Sequence, residues 1–268
     1  MAKAKSIPVR RAAAEPAVHT VQPDAPWAWL GAGWRDLWAV PQVSLAYGLL
    51  FAAISGVLTW SLFHLDMQYM LMPMAAGFML VGPMLAVGLY ETSRRLATGE
   101  TVGLGPALFV KTRSPAQLAF LGALLMLMLL AWIRIAQLVY ALFFGLSDFP
   151  GFEQSIQLVF FTPEGLGMLA VGSAAGGVIA VGVFAVAAFA VPMLMVREMD
   201  AVSAMIASVA AVRANLWPML VWGWLIVVMT AVGIVTLYVG LIVTFPLLGH
   251  ATWHAYRQVI DGVEPDAG

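Results

Sequence analysis

Four long apolar stretches alternate with short polar segments along most of the chain. Residues 41–63, 70–90, 115–144 and 166–196 contain almost no charged side chains. A helix rises 1.5 Å per residue, so each stretch is long enough to cross a hydrocarbon core of roughly 30 Å. The pattern predicts four membrane-spanning helices in these stretches.

The last apolar stretch is too long for one crossing. Residues 216–256 include no Asp, Glu, Lys or Arg over 41 positions. A single helix of that length would measure about 60 Å, roughly twice a hydrocarbon core. We therefore expect two crossings with a fold-back near 231–236. The expected fold is an all-α polytopic membrane protein with six transmembrane helices in three hairpins, over 27–260.

A shorter helix is predicted before the first span. Residues 27–40 are too short and too polar to cross, and Trp27, Trp34 and Trp38 fall near one helical face. Tryptophan favours the boundary between lipid and water, so this helix is expected to lie in the headgroup layer. The alternative is a simple extension of the first span.

Composition agrees with a protein that has lipid as its solvent. The chain is 62% hydrophobic and only 10% charged, whereas soluble domains carry about 25% charged residues. The net charge of −1 argues against a nucleic-acid partner, and the absence of cysteine excludes disulfides and thiol catalysis. Residues 1–26 have no apolar core for a signal peptide and are expected to form a disordered cytoplasmic tail, as are 261–268.

The distribution of basic residues predicts the orientation. Twelve of the thirteen Lys and Arg residues lie in the N-terminal region, the loops after the second and fourth spans, or the C-terminal end; the exception is Arg134. By the positive-inside rule both termini are expected in the cytoplasm of a bacterial cell, with the protein in its inner membrane.

Two segments of the chain share a pattern. Aligning Pro83 with Pro246 brings Tyr90 opposite Trp253, and it also matches the following pairs: Gly77 with Gly240, Arg94 with Arg257, Gly99 with Gly262. A weaker third copy starts at Pro192. The pattern indicates three parallel hairpin repeats with the aromatic at the membrane interface. Chance matching of apolar helices rich in glycine and proline is the alternative.

The fourth span is rich in small residues, among them Gly172, Ser173, Gly176 and Gly177. Small residues allow helix backbones to approach closely in lipid. The fourth span is therefore predicted to be the central packed helix.

Two motifs resemble those of a known family. They are Gly-Pro-x-Leu-Ala-x-Gly-Leu-Tyr-Glu-x-Ser-Arg-Arg at 82–95 and Pro-Leu-Leu-Gly-His-Ala-Thr-Trp-His-Ala-Tyr-Arg at 246–257, together with the tryptophan-rich segment that ends at Pro41. Over about 30–260 the chain resembles an uncharacterised bacterial membrane family, domain of unknown function 2189. Some of its members are labelled putative cytochrome c oxidase subunits. The resemblance implies an association with a respiratory oxidase and no defined mechanism.

His250 and His254 are the first candidate site. They are four residues apart, so both imidazoles lie on one helical face and could bind one metal ion or a haem. Glu91 takes the position of His254 in the aligned repeat and is the predicted third ligand. The alternatives are contacts with headgroups or with carbonyls freed by Pro246, and a role in proton handling.

Arg134 is the only basic residue inside a predicted span, which makes it a candidate functional residue. It lies toward the outer end of its span. The alternatives are snorkelling to the headgroups and pairing with Asp66, Glu153 or Glu164.

A basic rim is predicted at the cytoplasmic side, where it would bind anionic headgroups: Arg94, Arg95, Lys111, Arg113 and Arg257. Pairing of these residues with Glu91, Glu198 or Asp200 is the alternative. A phosphate-bearing ligand is a further one.

No nucleotide-binding loop, serine-hydrolase elbow or zinc-protease motif occurs in the chain. We therefore expect a non-enzymatic accessory or assembly protein, without an established cofactor and within a membrane-protein complex. A small transporter or channel is the alternative, since the repeat, Arg134 and the proline-broken helices are also features of transporters.

Overall fold

The structure, a computed structural model, describes residues 16–145 and 152–265, with side chains from 154 in the second range. The secondary structure elements in this part of the chain are all helices, as predicted. Its helices are α1 (Ala25–Ala39), α2 (Pro41–His64), α3 (Leu71–Leu85), α4 (Val87–Thr98), α5 (Leu104–Leu108), α6 (Pro115–Phe144), α7 (Phe152–Phe161), α8 (Pro163–Ala187), α9 (Ala190–Val196), α10 (Ala201–Ala214), α11 (Leu216–Val235) and α12 (Leu241–Asp261), with one 3-10 turn at Gln68–Met70.

Five helical segments in the described residues are long and apolar enough to cross a membrane. They are Pro41–His64, Gln68–Thr98, Pro115–Phe144, Pro163–Val196 and Leu216–Val235. Prolines begin three of the helices that form them, where the missing N–H needs no partner. These segments confirm the first five predicted spans and a polytopic helical membrane protein.

The sixth predicted span differs from the other five. The chain folds back after Val235, as expected, and α12 returns along α11. However, α12 is not among the segments apolar enough to cross, because its second half carries His250, His254, Arg257 and Asp261. Its environment is protein, since 14 of its 21 residues are buried.

Helix α12 occupies the centre of the fold, where α1, α2, α4 and α11 pack around it. The fourth span, predicted to be central, is the most buried of the five spans, at 56% of its apolar stretch, and this burial is concentrated near the α8–α9 break and in α9. In α8 only three of 25 residues are buried, and a Cβ added at Gly177 would meet no atom within 4 Å. Small residues permit close packing, but they create it only where another helix is present.

Two glycines explain how α12 comes to be surrounded so closely. A Cβ added at Gly33 of α1 would lie 2.7 Å from the amide nitrogen of Ala251. One added at Gly48 of α2 would lie 2.2 Å from the carbonyl oxygen of Ile242, the group that Pro246 leaves without an amide partner. Neither helix could pack at this distance with a larger residue.

Two spans break near the same end of the bundle, and side chains satisfy the backbone at each break. The α3–α4 break frees the carbonyl of Leu85, which accepts from the Tyr47 hydroxyl at 2.7 Å. At the α8–α9 break Ser208 accepts from the amide of Phe189 at 3.1 Å and donates to the carbonyl of Ala185 at 2.8 Å. The breaks are therefore part of the packed structure.

Part of the predicted N-terminal tail, from residue 16 onward, belongs to the described structure. Residues 1–15 lie outside the described part, as do 266–268 of the predicted C-terminal tail. From residue 16 onward the chain follows α12: His19 N donates to the carbonyl of Val259 at 2.8 Å, and Asn215 bonds both Val21 N and the carbonyl of His19. Residues 16–26 are thus part of the fold.

The short helix before the first span is confirmed as α1. Trp27, Trp34 and Trp38 are about half exposed and lie on its outer side, whereas Trp29 is buried and its indole donates to Gln258 at 2.6 Å. The connection between the third and fourth predicted spans contains α7, which packs on α8.

The paired segments share one structural feature and depart from the prediction in another. Gly99 and Gly262 both end their helices in the left-handed conformation, at φ values of 69° and 68°. Tyr90 and Trp253, predicted at the membrane interface, are both 2% exposed and belong to the protein core. The repeat itself stays a prediction.

Candidate functional site: a closed polar network around His250

Five polar side chains from four helices meet at one end of the bundle. They are Asp36 of α1, Ser44 of α2, Ser93 of α4, and His250 and His254 of α12; we call them the His250 network. We call the end that contains them the charged end, since the ion pairs of the described residues also lie there. The opposite end carries His64, the 3-10 turn and Glu164.

Hydrogen bonds join the five side chains in an unbranched chain. Asp36 Oδ2 accepts from Ser93 Oγ at 2.6 Å and lies 2.8 Å from His254 Nε2. Ser93 Oγ is also 2.7 Å from His250 Nδ1, and His250 Nε2 is 2.9 Å from Ser44 Oγ. The order of contacts is therefore His254, Asp36, Ser93, His250, Ser44.

This order assigns the hydrogens. Ser93 has one hydroxyl hydrogen and donates it to the Asp36 carboxylate, so it must accept from the N–H at His250 Nδ1. His250 Nε2 then accepts from the Ser44 hydroxyl. A neutral His250 with its hydrogen on Nδ1 satisfies every contact, and its complete burial disfavours the charged form.

The inner members of the network are buried, whereas the side chains of Asp36 and His254 are 17% and 19% exposed. His250 and Ser44 are 0% exposed, and Ser93 is 1% exposed. The predicted second span ends at Tyr90, but the helix continues beyond it as α4, which buries Glu91, Thr92 and Ser93. Leaving a buried polar group without its partner lowers the stability of the fold by about 1–3 kcal/mol. Each hydrogen bond of the network therefore helps to keep its two helices in register.

The three predicted metal ligands are not brought together. Glu91 Oε2 accepts from Arg94 Nε at 2.7 Å, and Glu91 Oε1 accepts from Arg95 Nε at 2.6 Å. No group of three His, Asp or Glu side chains suited to a metal occurs among the described residues. His250 contacts Ser44 and Ser93, so the alternative of headgroups or freed carbonyls is not seen for it either.

The predicted basic rim divides into two kinds of residue. Arg94 bridges Glu91 and Glu100, Arg95 bonds Glu91, and Arg257 lies 3.0 Å from Asp261. Lys111 and Arg113 are exposed and form no ion pair within the described part of the chain. Headgroup binding by these five residues stays a prediction, and it suits Lys111 and Arg113 best.

The Arg94 ion pair fixes the charge state of Glu100. Hydrogen bonds from Arg94 and Thr98 lower the pKa of Glu100 to about 2. A carboxyl group whose pKa is lowered in the folded protein stabilises the fold at pH values above the ordinary carboxyl pKa. This stabilisation is lost as the pH falls toward 2. Glu100 is therefore ionised throughout the neutral range.

Arg134 lies toward the opposite end, as predicted. Nearby, the Trp132 indole donates to the carbonyl of Pro73 at 2.8 Å, which sets this part of α6 beside the start of α3. Arg134 NH1 donates to Gln137 Oε1 at 3.1 Å. No ion pair links it to Asp66 or Glu164, and the side chain of Glu153 lies outside the described residues.

Asp36, Ser44 and Ser93 were missed by sequence reasoning. The signal available was weak: Asp36 is an acid in a tryptophan-rich helix, and Ser93 lies two residues after Glu91 inside the 82–95 motif. Neither feature indicates contact with α12, because that contact depends on helix packing across 157 to 218 residues of chain.

Comparison with known proteins supports the family resemblance. Residues 71–196 match the family described as "Predicted integral membrane protein (DUF2189)". The match includes the motif at 82–95 and Ser93, but it does not extend to α1 or α12. No curated protein and no solved structure matches the chain.

Proposed function

We propose that this integral membrane protein is a non-enzymatic accessory or assembly protein of the bacterial cytoplasmic membrane. It acts by binding other membrane components and does not transform them. The observation that supports this proposal is the closure of the His250 network. Each of its side chains contacts another member, and none of the five lines the groove in the opposite half of the molecule.

Closure matters because catalysis needs room for a substrate. A nucleophile and its base must face a position where a reacting atom can sit about 3 Å away. Ser93 lies between His250 and Asp36, as a nucleophile beside a base would, but it is 1% exposed. The arrangement fits a clamp that joins α1, α2, α4 and α12.

Transport is the second candidate and is less well supported. A path for a polar solute requires polar groups at mid-membrane. The large groove of the opposite half is lined mainly by apolar and small residues. Its amide side chains, Gln68 and Gln137, lie at one end of it, near the α2–α3 turn.

The proposed orientation puts the charged end in the cytoplasm, following the positive-inside rule. The chain has no cysteine, so single cysteines can report it. Leu65, at the opposite end, is 67% exposed, and Phe109, before α6, is 81% exposed. A membrane-impermeant maleimide applied to intact spheroplasts should label Leu65→Cys and spare Phe109→Cys. The reverse pattern would invert the topology.

Affinity purification in mild detergent tests the accessory role. We expect the tagged full-length protein to retain a membrane-protein partner above the level seen with an unrelated tagged membrane protein. Subunits of a respiratory terminal oxidase are the partners to score first, because the family resemblance predicts them. Isolation of the protein alone, together with solute flux in proteoliposomes, would favour transport.

A further inference from the structure

A groove of about 820 Å³ opens between α3, α6, α7 and α8, in the half of the molecule away from the His250 network. Its walls include Trp132 and Val139 of α6 and the small residues Gly172 and Gly177 of α8. Such a volume lies within the range of roughly 300–1,000 Å³ for small-molecule sites. The groove lies along helices that cross the membrane, so its occupant enters from lipid.

Polar groups are concentrated at one end of this groove. Gln137 lines it, and the Gln137 amide nitrogen has the Met70 sulfur at 3.7 Å, which is a weak acceptor. The Gln137 amide oxygen accepts from Arg134. No carboxylate pairs with Arg134 within the described part of the chain. Gln137 therefore lines one end of an apolar groove, and the exposed guanidinium of Arg134, which does not line the groove itself, lies beside Gln137.

The surroundings of the groove favour a lipid over a partner helix. Acyl chains of the bilayer already lie against the spanning helices that form its walls, whereas a partner helix would need a complementary face. Hydrocarbon chains are narrower and follow a curved wall. The small side chains of α8 leave the space that they need.

We propose that the groove binds a phospholipid with an anionic headgroup, its chains along α8 and its phosphate beside Arg134 and Gln137. This site deepens the proposed function, in which the protein binds membrane components. Moving an acyl chain from bilayer to groove provides little hydrophobic gain, because both surroundings are apolar. Selectivity must therefore come from the headgroup, and a guanidinium binds phosphate through charge-assisted hydrogen bonds.

The test is photolabelling of the reconstituted full-length protein. The probe is phosphatidylglycerol with a diazirine in its acyl chain, present as a minor component of phosphatidylcholine vesicles; the same diazirine on phosphatidylcholine is the comparison. In the wild type we expect labelled peptides from α6 and α8 around Val139 and Ile179, with phosphatidylglycerol preferred about tenfold, as one charge-assisted bond would provide.

Two variants of α8 form a matched pair. Gly177→Leu fills the groove, and Gly182→Leu adds the same side chain outside it; a Cβ at either position meets no atom within 4 Å. Labelling should fall about tenfold in Gly177→Leu and be unchanged in Gly182→Leu. Arg134→Gln should remove the headgroup preference and leave the chain-dependent labelling of α8.

Three outcomes would overturn the lipid site. They are equal labelling of the two leucine variants, a headgroup preference that survives Arg134→Gln, and recovery of a bound quinone or partner helix in the groove. If Gly177→Leu fails to fold, Arg134→Gln and the paired probes decide the question alone. Partner recovery in detergent is measured separately, so loss of the lipid site and loss of the accessory role are distinguishable.

Discussion

The burial of helices α12 and α8 is the opposite of what their compositions suggest, because the more polar helix is the more buried one. Helix α12 contains two histidines, an arginine and an aspartate, yet most of it is buried. Helix α8 is almost entirely apolar and rich in glycine and alanine, yet only three of its 25 residues are buried. In a membrane protein an apolar surface is already satisfied by lipid, whereas a polar group away from water needs a protein partner.

The same difference separates the two halves of the molecule. At the charged end, helices pack so closely on α12 that glycine is required, and hydrogen bonds join side chains from four helices. In the opposite half the spanning helices enclose a groove. We interpret the charged end as a rigid platform and the opposite half as the part that binds.

The largest effect, on the yield of folded protein, is expected from leucine substitutions at two glycines of α2, one in each half of the molecule. Gly48→Leu would force a side chain into the backbone of α12 at Ile242, whereas a Cβ at Gly56 meets no atom within 4 Å. We expect Gly48→Leu to prevent accumulation of folded protein and Gly56→Leu to behave as wild type. The measurement is the monodisperse fraction in gel filtration after detergent extraction. Equal yields would contradict the tight packing at α12.

A smaller loss is expected at Asp36. Asp36→Ala leaves the Ser93 hydroxyl and His254 Nε2 without their acceptor, at a cost of about 3 kcal/mol. The matched control is Asp24→Ala, since Asp24 is exposed and forms no side-chain cap with α1. Thermal unfolding in detergent should show a lower midpoint for Asp36→Ala alone. Coincident midpoints would mean that the network does not stabilise the fold.

Two serines of α2 provide a finer comparison. Ser44→Ala leaves buried His250 Nε2 without a donor and should cost about 1–2 kcal/mol. The hydroxyl of Ser61 is exposed and bonds the carbonyl of Val57 in its own helix, so Ser61→Ala should change little. The thermal midpoints of the two variants test this difference, and an equal shift in both would argue against a special role for the charged end.

The smallest effect is expected on bound metal. Glu91 is engaged by two arginines and the histidines by the network, so we expect no metal or haem to be lost when His250 and His254 are both replaced by alanine. Elemental analysis and the haem absorption of purified protein measure this directly. A stoichiometric metal in the wild type that disappears in the double variant would restore the ligand hypothesis.

The positions of the helices could be predicted far better than their contacts. The spans at Pro41–His64 and Pro115–Phe144 agree with prediction to within a residue or so, because length and hydropathy are properties of a local stretch. The predicted contact of Glu91 with His250 and His254 is not found, because contacts between helices depend on residues that are far apart in the chain. Glu91 was chosen from an alignment of repeats, whereas Ser93, two residues along the same helix, turns toward His250.

The sequence by itself determined that the protein is helical, that it resides in lipid, and where the first and third spans begin and end. Only the tertiary structure decided that the more polar α12 would be central and that the glycine-rich α8 would border a groove. The physical reason is that transfer into lipid depends on each segment separately, whereas the partners of a buried polar group depend on which helices meet. Asp36 and His254 are 218 residues apart, and only folding brings them to 2.8 Å.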